Sequence, residues 1–147
     1  MKIKTLLIAA ALTLPLSAHS VEVSYWMTCQ RPARDFFAML IQKQALQLPS
    51  SVVWPTGRNQ FVPTDDSSLT FFGLPVYGVE GYTHDSIVFR PPLDGHTPDF
   101  EGYGVDVGAP IADVKDRLAD LGQTPAQVRA VRKDLTYVYC EFKQTAQ

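Results

Sequence analysis

Residues 135–142 read L-T-Y-V-Y-C-E-F, and their alternation decides the fold class. Successive side chains of an extended chain point to opposite faces. Val138, Cys140 and Phe142 therefore fall on one side, and Leu135, Tyr137 and Tyr139 on the other. One side is an apolar wall and the other is largely aromatic. The wall carries Cys140, and Cys29 is the only other cysteine, so a disulfide has one connectivity open to it. Cys29–Cys140 closes a loop of roughly a hundred residues, worth at most about 4–5 kcal/mol by chain entropy.

Before this strand, Thr124-Pro125-Ala126-Gln127 has the form of a capping box with proline in the first turn, and predicts a short helix over 124–131. The bases Arg129, Arg132 and Lys133 would then sit at its end, where the helix dipole favours them. Ile111, Val114, Leu118 and Leu121 step by three and four, a narrow apolar stripe between Pro110 and a terminating Gly122. Residues 100–107 alternate again and predict a strand. Residues 91–98 are a turn-rich excursion, and 86–90 (S-I-V-F-R) read as a strand reached through a connection at 78–85. Residues 69–77 read as extended, with Gly73 and Pro75 marking a bulge or a sheet edge. Residues 55–68 are polar, without periodicity, and predict a loop.

Nearer the N-terminus, 52–54 is a short extended piece. Residues 32–47 carry Phe36, Phe37, Leu40 and Ile41 at helical spacing, with Asp35 near the start and Pro49 beyond the end. Residues 21–27 read as an opening strand. Few strands are joined by helices, so the expected architecture is a single small α+β domain: a mainly antiparallel sheet, one helix near the N-terminus, two helices before the last strand, and one disulfide. The triplet Glu80-Gly81-Tyr82 recurs as Glu101-Gly102-Tyr103. Two neighbouring strands that each need a small residue beside a tyrosine would produce that echo.

Residues 1–20 have the form of a secretory signal: Lys2 and Lys4, an apolar run too short to span a bilayer, then Ala18-His19-Ser20 ahead of a cleavage point before Val21. Residues 21–147 would be the mature domain, soluble, without a membrane anchor, in the bacterial periplasm or the medium. Loss of Lys2 and Lys4 would leave 11 basic against 15 acidic side chains and move the net charge from −2 to −4. That balance argues against nucleic acid as a partner. Between 65 and 120 there are 11 acids and three bases, so the acidic middle is either a docking surface for a basic protein or a solubilising one.

A catalytic signature is absent from the sequence. Both cysteines are committed to the bridge, there is no Gly-x-Ser-x-Gly elbow, and the Gly102, Gly104, Gly108 spacing is not a dinucleotide fingerprint. His84 and His96, with Asp94 and Asp99 nearby, are weak candidates for a metal site whose spacing fits no established ligand pattern. Glu101 and Asp106 begin and end a strand at odd separation, which points them to opposite faces. No cofactor is indicated. Trp26, Trp54, Tyr77, Tyr82, Tyr103, Tyr137 and Tyr139 are numerous for the size, and most of them are expected in the core. Tyr137 and Tyr139 on an uncovered sheet face, rimmed by Asp94, Asp99 and Glu101, would make a protein-binding platform. The function that fits best is an exported, non-enzymatic binding protein, such as an inhibitor or immunity protein for a cationic enzyme. The alternatives are an envelope assembly factor and a small carboxylate- or metal-dependent hydrolase.

Overall fold

In the computed structural model, residues 19–65, 67–84 and 88–143 are described. Their elements are strands β1 (His19–Glu22), β2 (Val52–Val53), β3 (Asn59–Phe61), β4 (Ser67–Phe71), β5 (Leu74–Tyr82), β6 (Phe100–Val107), β7 (Gln127–Arg132) and β8 (Leu135–Lys143), and helices α1 (Ala33–Gln42) and α2 (Ile111–Leu118). The strands lie in the order β1-β4-β5-β6-β8-β7, with β3 added to β5 and β2 to β3. Among the described strands only β1 and β4 pair in parallel. The domain is thus α+β with a mainly antiparallel sheet, as its alternating segments predict. Among the described residues no helix is long and apolar enough to cross a membrane. The expected signal lies outside the described residues except for His19 and Ser20, which begin β1.

One face of the sheet carries the core. Val79, Val105 and Val138 stand side by side on β5, β6 and β8, and all are fully buried. Onto them α1 lays Ala33, Phe36, Phe37 and Leu40, and α2 lays Val114 and Leu118. Aromatic rings fill the space between. Phe36 stacks on Tyr103 at 4.4 Å, and Trp26 meets both rings edge-on. Cys140, on the core side of β8, joins Cys29 with 5.4 Å between Cα atoms. The two Glu-Gly-Tyr triplets do lie on neighbouring strands, and each glycine faces the other triplet's tyrosine: Gly81 opposite Tyr103, Gly102 opposite Tyr82. A Cβ at Gly81 would come within 2.7 Å of the Phe37 ring, so α1 can seat only over a glycine there.

Several expectations need correction. The segment 124–131 is not a helix but strand β7. Thr124 Oγ1 does accept from the Ala126 N–H in a cap-like contact, but it also donates to the Met27 carbonyl, and the chain leaves extended. Pairing with β8 outweighs the local helical preference, because β8 would otherwise be an unpaired edge. The bases Arg129 and Arg132 therefore decorate an edge strand rather than a helix terminus. Residues 55–68 are not all loop, since β3 and the start of β4 lie within them. Residues 78–82 continue β5 as strand, with a bulge between Val76 and Gly78, rather than serving as a connection. Residues 88–90 are not strand, and 85–87 lie outside the described residues. The opening strand ends at Glu22, and Ser24–Thr28 forms a 3₁₀ turn that carries Met27 into the core and Cys29 to its bridge. Helix α1 stops at Gln42 because Gln44 takes a left-handed conformation (φ 53°) and turns buried Ala45 and Leu46 inward.

Candidate functional site

The sheet's other face is built from the intervening positions of the same strands. Cross-strand register puts Gln60 beside Glu80, Glu80 beside Gly104, Gly104 beside Tyr139, and Asp106 beside Tyr137, which in turn faces Arg129. Gly104 is a floor position: a Cβ there would lie 2.6 Å from Tyr139 and 2.7 Å from the Tyr137 ring. The two tyrosines stack at 4.8 Å with planes 14° apart. The Arg58 guanidinium stands over the rings of Phe100, Tyr137 and Tyr139 at 5.5–5.8 Å, and Arg129 approaches Tyr137 at 5.6 Å.

Two carboxylates sit in this layer nearly out of solvent, Glu80 at 8% exposure and Asp106 at 7%. Burial, reinforced by the neighbouring Asp106 charge, pushes Glu80 up to about 7, against the pull of Arg58 and Arg129. Burial also raises Asp106, although Arg129 and a hydrogen bond from Gln60 oppose it. Arg58 approaches Glu80 at 4.0 Å and Glu141 at 3.8 Å, both too long for hydrogen bonds. Beside this layer a cleft of about 390 Å³ is lined by Trp54, Pro55, Thr56, Arg58, Glu80 and Arg129.

Trp54 and Pro55 also wall a smaller neighbouring hollow of about 170 Å³, completed by Val53, Pro92, Leu93 and Asp94. Trp54 is 43% exposed and Leu93 wholly so. A buried network joins the two segments that meet here. Asn59 Nδ2 donates to the carbonyls of Gly57 and Arg90, each at 3.0 Å, and its Oδ1 accepts from the Ser50 hydroxyl (2.7 Å) and the Arg90 N–H (2.9 Å). The Arg90 guanidinium donates in turn to the Ser50 hydroxyl and carbonyl. Every polar atom of the Asn59 amide is thereby paired, so the excursion bearing Leu93 and Asp94 is held against the β2–β3 hairpin bearing Trp54.

The residues singled out from sequence are dispersed. Tyr137 and Tyr139 do share the outer face, but Tyr137 is only 2% exposed and lies among charged groups, so the pair is not an open platform. Glu101 and Asp106 point to opposite faces, as their odd separation predicts. Glu101 accepts hydrogen bonds from the Thr83 hydroxyl and the His84 N–H, away from the tyrosines. Asp94 and Asp99 are exposed in the excursion between β5 and β6, and Asp94 binds His96 through ring and backbone donors. His84 sits just beyond β5 beside Tyr82 (3.4 Å), with a buried Nε2 that meets no hydrogen-bonding partner among the described residues. No three His, Cys, Asp or Glu side chains converge among the described residues, so His84, His96, Asp94 and Asp99 do not form a metal cluster there. Sequence reading missed Arg58, which lay in an expected loop, and Glu80, which lay in an expected connection. The repeated Glu-Gly-Tyr triplet was the signal that could have found Glu80. No protein-family model, curated protein or solved structure matches this chain.

Proposed function

We propose that the chain is an exported, non-enzymatic binding protein that receives a basic protein partner on the Trp54–Leu93 patch, in the manner of an inhibitor or immunity protein of a cationic enzyme. One observation carries this reading: the Ser50–Asn59–Arg90 network fixes two separate segments so that Trp54 and Leu93 stand exposed side by side, with Asp94 at their rim. Large apolar side chains held next to one another in water mark an interaction surface in a way that scattered ones do not. An aromatic anchor with a charged margin is how protein interfaces concentrate their affinity. The negative net charge of the chain favours a basic partner. Export is supported by the form of residues 1–20 and by the disulfide, which suits an oxidising compartment.

The test is affinity capture from a periplasmic extract with the oxidised 21–147 domain, beside its Trp54→Ala and Leu93→Asp variants. A single basic protein retained by the unaltered domain, lost from both variants and released as salt rises is the expected result. Equal retention by the variants, or no retention at low salt, would overturn the proposal.

A hydrolase reading has one observation of its own, the Glu80–Asp106 pair. Two carboxylates on adjacent strands, one of them titrating near neutrality, resemble an acid and base poised for bond cleavage. Turnover of glycan or peptide substrates that vanishes in Glu80→Gln while the fold survives would favour it.

A further inference from the structure

The larger cleft is chemically unlike the Trp54–Leu93 patch beside it. Its volume of about 390 Å³ falls within the span of small-molecule sites, roughly 300–1,000 Å³. Two arginines border it, one from the turn before β3 and one from the edge strand β7. Neither guanidinium makes a hydrogen bond among the described residues. Arg58 has two long ion pairs and its ring contacts, and Arg129 has its contact with Tyr137 and its attraction to Glu80 and Asp106. Both side chains lie against aromatic rings, and among the described residues their N–H donors meet no hydrogen-bond acceptor. A guanidinium fork matches a carboxylate in geometry and charge. The same cleft is also lined by the half-exposed Trp54 indole and by Pro55, a surface suited to the flat face of a ring.

We propose that this cleft binds a small ring-bearing carboxylate, with its ring against Trp54 and its carboxylate held by Arg58 and Arg129. Two sources supply that chemistry, an acidic sugar and an aromatic acid. Glu80 at the cleft wall gives the site a pH signature. The groups facing Glu80 are Gln60 from β3, Asp106 from β6, Tyr137 and Tyr139 from β8, Arg58 and Arg129. An arriving anion favours the protonated form of Glu80, whose O–H then donates to the ligand or to a neighbouring acceptor. Binding therefore takes up a proton near neutral pH and weakens as pH rises through about 7. This proposal shares Trp54 with the neighbouring patch but is tested separately, because its probes are small molecules offered to the isolated domain.

The experiment is titration of the oxidised domain with benzoate and with glucuronate, followed by NMR, with benzyl alcohol and glucose as uncharged counterparts. Saturable shifts at the Trp54 indole with at least one acid, in the millimolar range or tighter, are expected, with none from the counterparts. Response to benzoate alone assigns an aromatic acid, and response to glucuronate alone assigns an acidic sugar. Arg129→Gln, on the exposed edge strand, should keep the fold by its amide spectrum and bind about tenfold more weakly or worse. Glu80→Gln should still bind and lose the pH dependence between about 6 and 8. Absence of saturation by both acids, equal response to the uncharged counterparts, or full affinity in Arg129→Gln would each overturn the proposal.

Discussion

On the covered face of the sheet, β5, β6 and β8 present Val79, Val105 and Val138 to two helices. One position away, on the opposite face, the same strands present Glu80, Asp106 and Tyr137. Both layers are buried, but different physics keeps them so. The covered face removes apolar surface from water, a gain that is almost indifferent to pH. The outer face holds carboxylates, arginines and tyrosines in a thin layer where Glu80 and Asp106 have lost much of their hydration, and Arg58 at 4.0 Å repays Glu80 only in part. Stability thus resides in one face, while chemical sensitivity resides in the other. Both proposed sites draw on Trp54, which stands at the margin of the polar layer, remote from the helix-covered core.

The comparison is most strongly tested at Phe36, whose ring stacks on Tyr103 and touches Trp26 and Phe37. Phe36→Ala should cost about 3–5 kcal/mol in urea unfolding, equally at pH 5 and pH 8. A loss below about 1 kcal/mol would show that the covered face is not the stabilising one. Next is Glu80→Gln. The folded pKa of Glu80, about 7, lies above its ordinary value of 4.5, so its contribution is fully present below pH 4.5 and is lost as pH rises through 7. The variant should match the parent near pH 4.5 and exceed it by up to about 3 kcal/mol at pH 8, read from melting curves across that range. A flat difference between the two curves would place the sensitivity elsewhere.

Asn59→Ala should cost about 2 kcal/mol by leaving Ser50 and Arg90 groups unpaired, and should also alter Trp54 fluorescence as the Leu93 segment loosens. The smallest effect is expected at exposed Glu22. Burial opposes its charge, but hydrogen bonds from Ser24, Thr70 and Phe72 outweigh that and hold its carboxyl below the usual range. Its folded pKa is depressed, so its stabilisation is present at neutral pH and lost as pH falls through that lowered value. Glu22→Gln should cost less than about 1 kcal/mol at pH 7 and nothing in strong acid.

Legibility followed how local each determinant was. Strand β6 was read with its observed bounds, and β8 to within one residue, because two-residue alternation over eight or more positions has no competing pattern. The α2 stripe and the stop at Gly122 were equally plain, since helix period and terminator lie together in the chain. Residues 124–131 misled because their capping signal is genuine yet weaker than a whole edge of strand pairing. The candidate site was largely illegible. Arg58 sits in a polar turn whose composition says nothing of ring contacts with residues more than forty positions away.

The sequence by itself determined the alternation of β6 and β8, the amphipathic helices, the single possible disulfide, and the placement of Glu101 and Asp106 on opposite faces. Each follows from side-chain periodicity or from counting. Tertiary structure alone decided that residues 127–132 become a strand, that Glu80 and Asp106 meet behind Arg58 and Arg129, and that Trp54 is displayed beside Leu93 rather than buried. Those outcomes depend on cross-strand register and on a buried asparagine that joins segments 31 residues apart, and contacts of that kind leave no periodic trace in the chain.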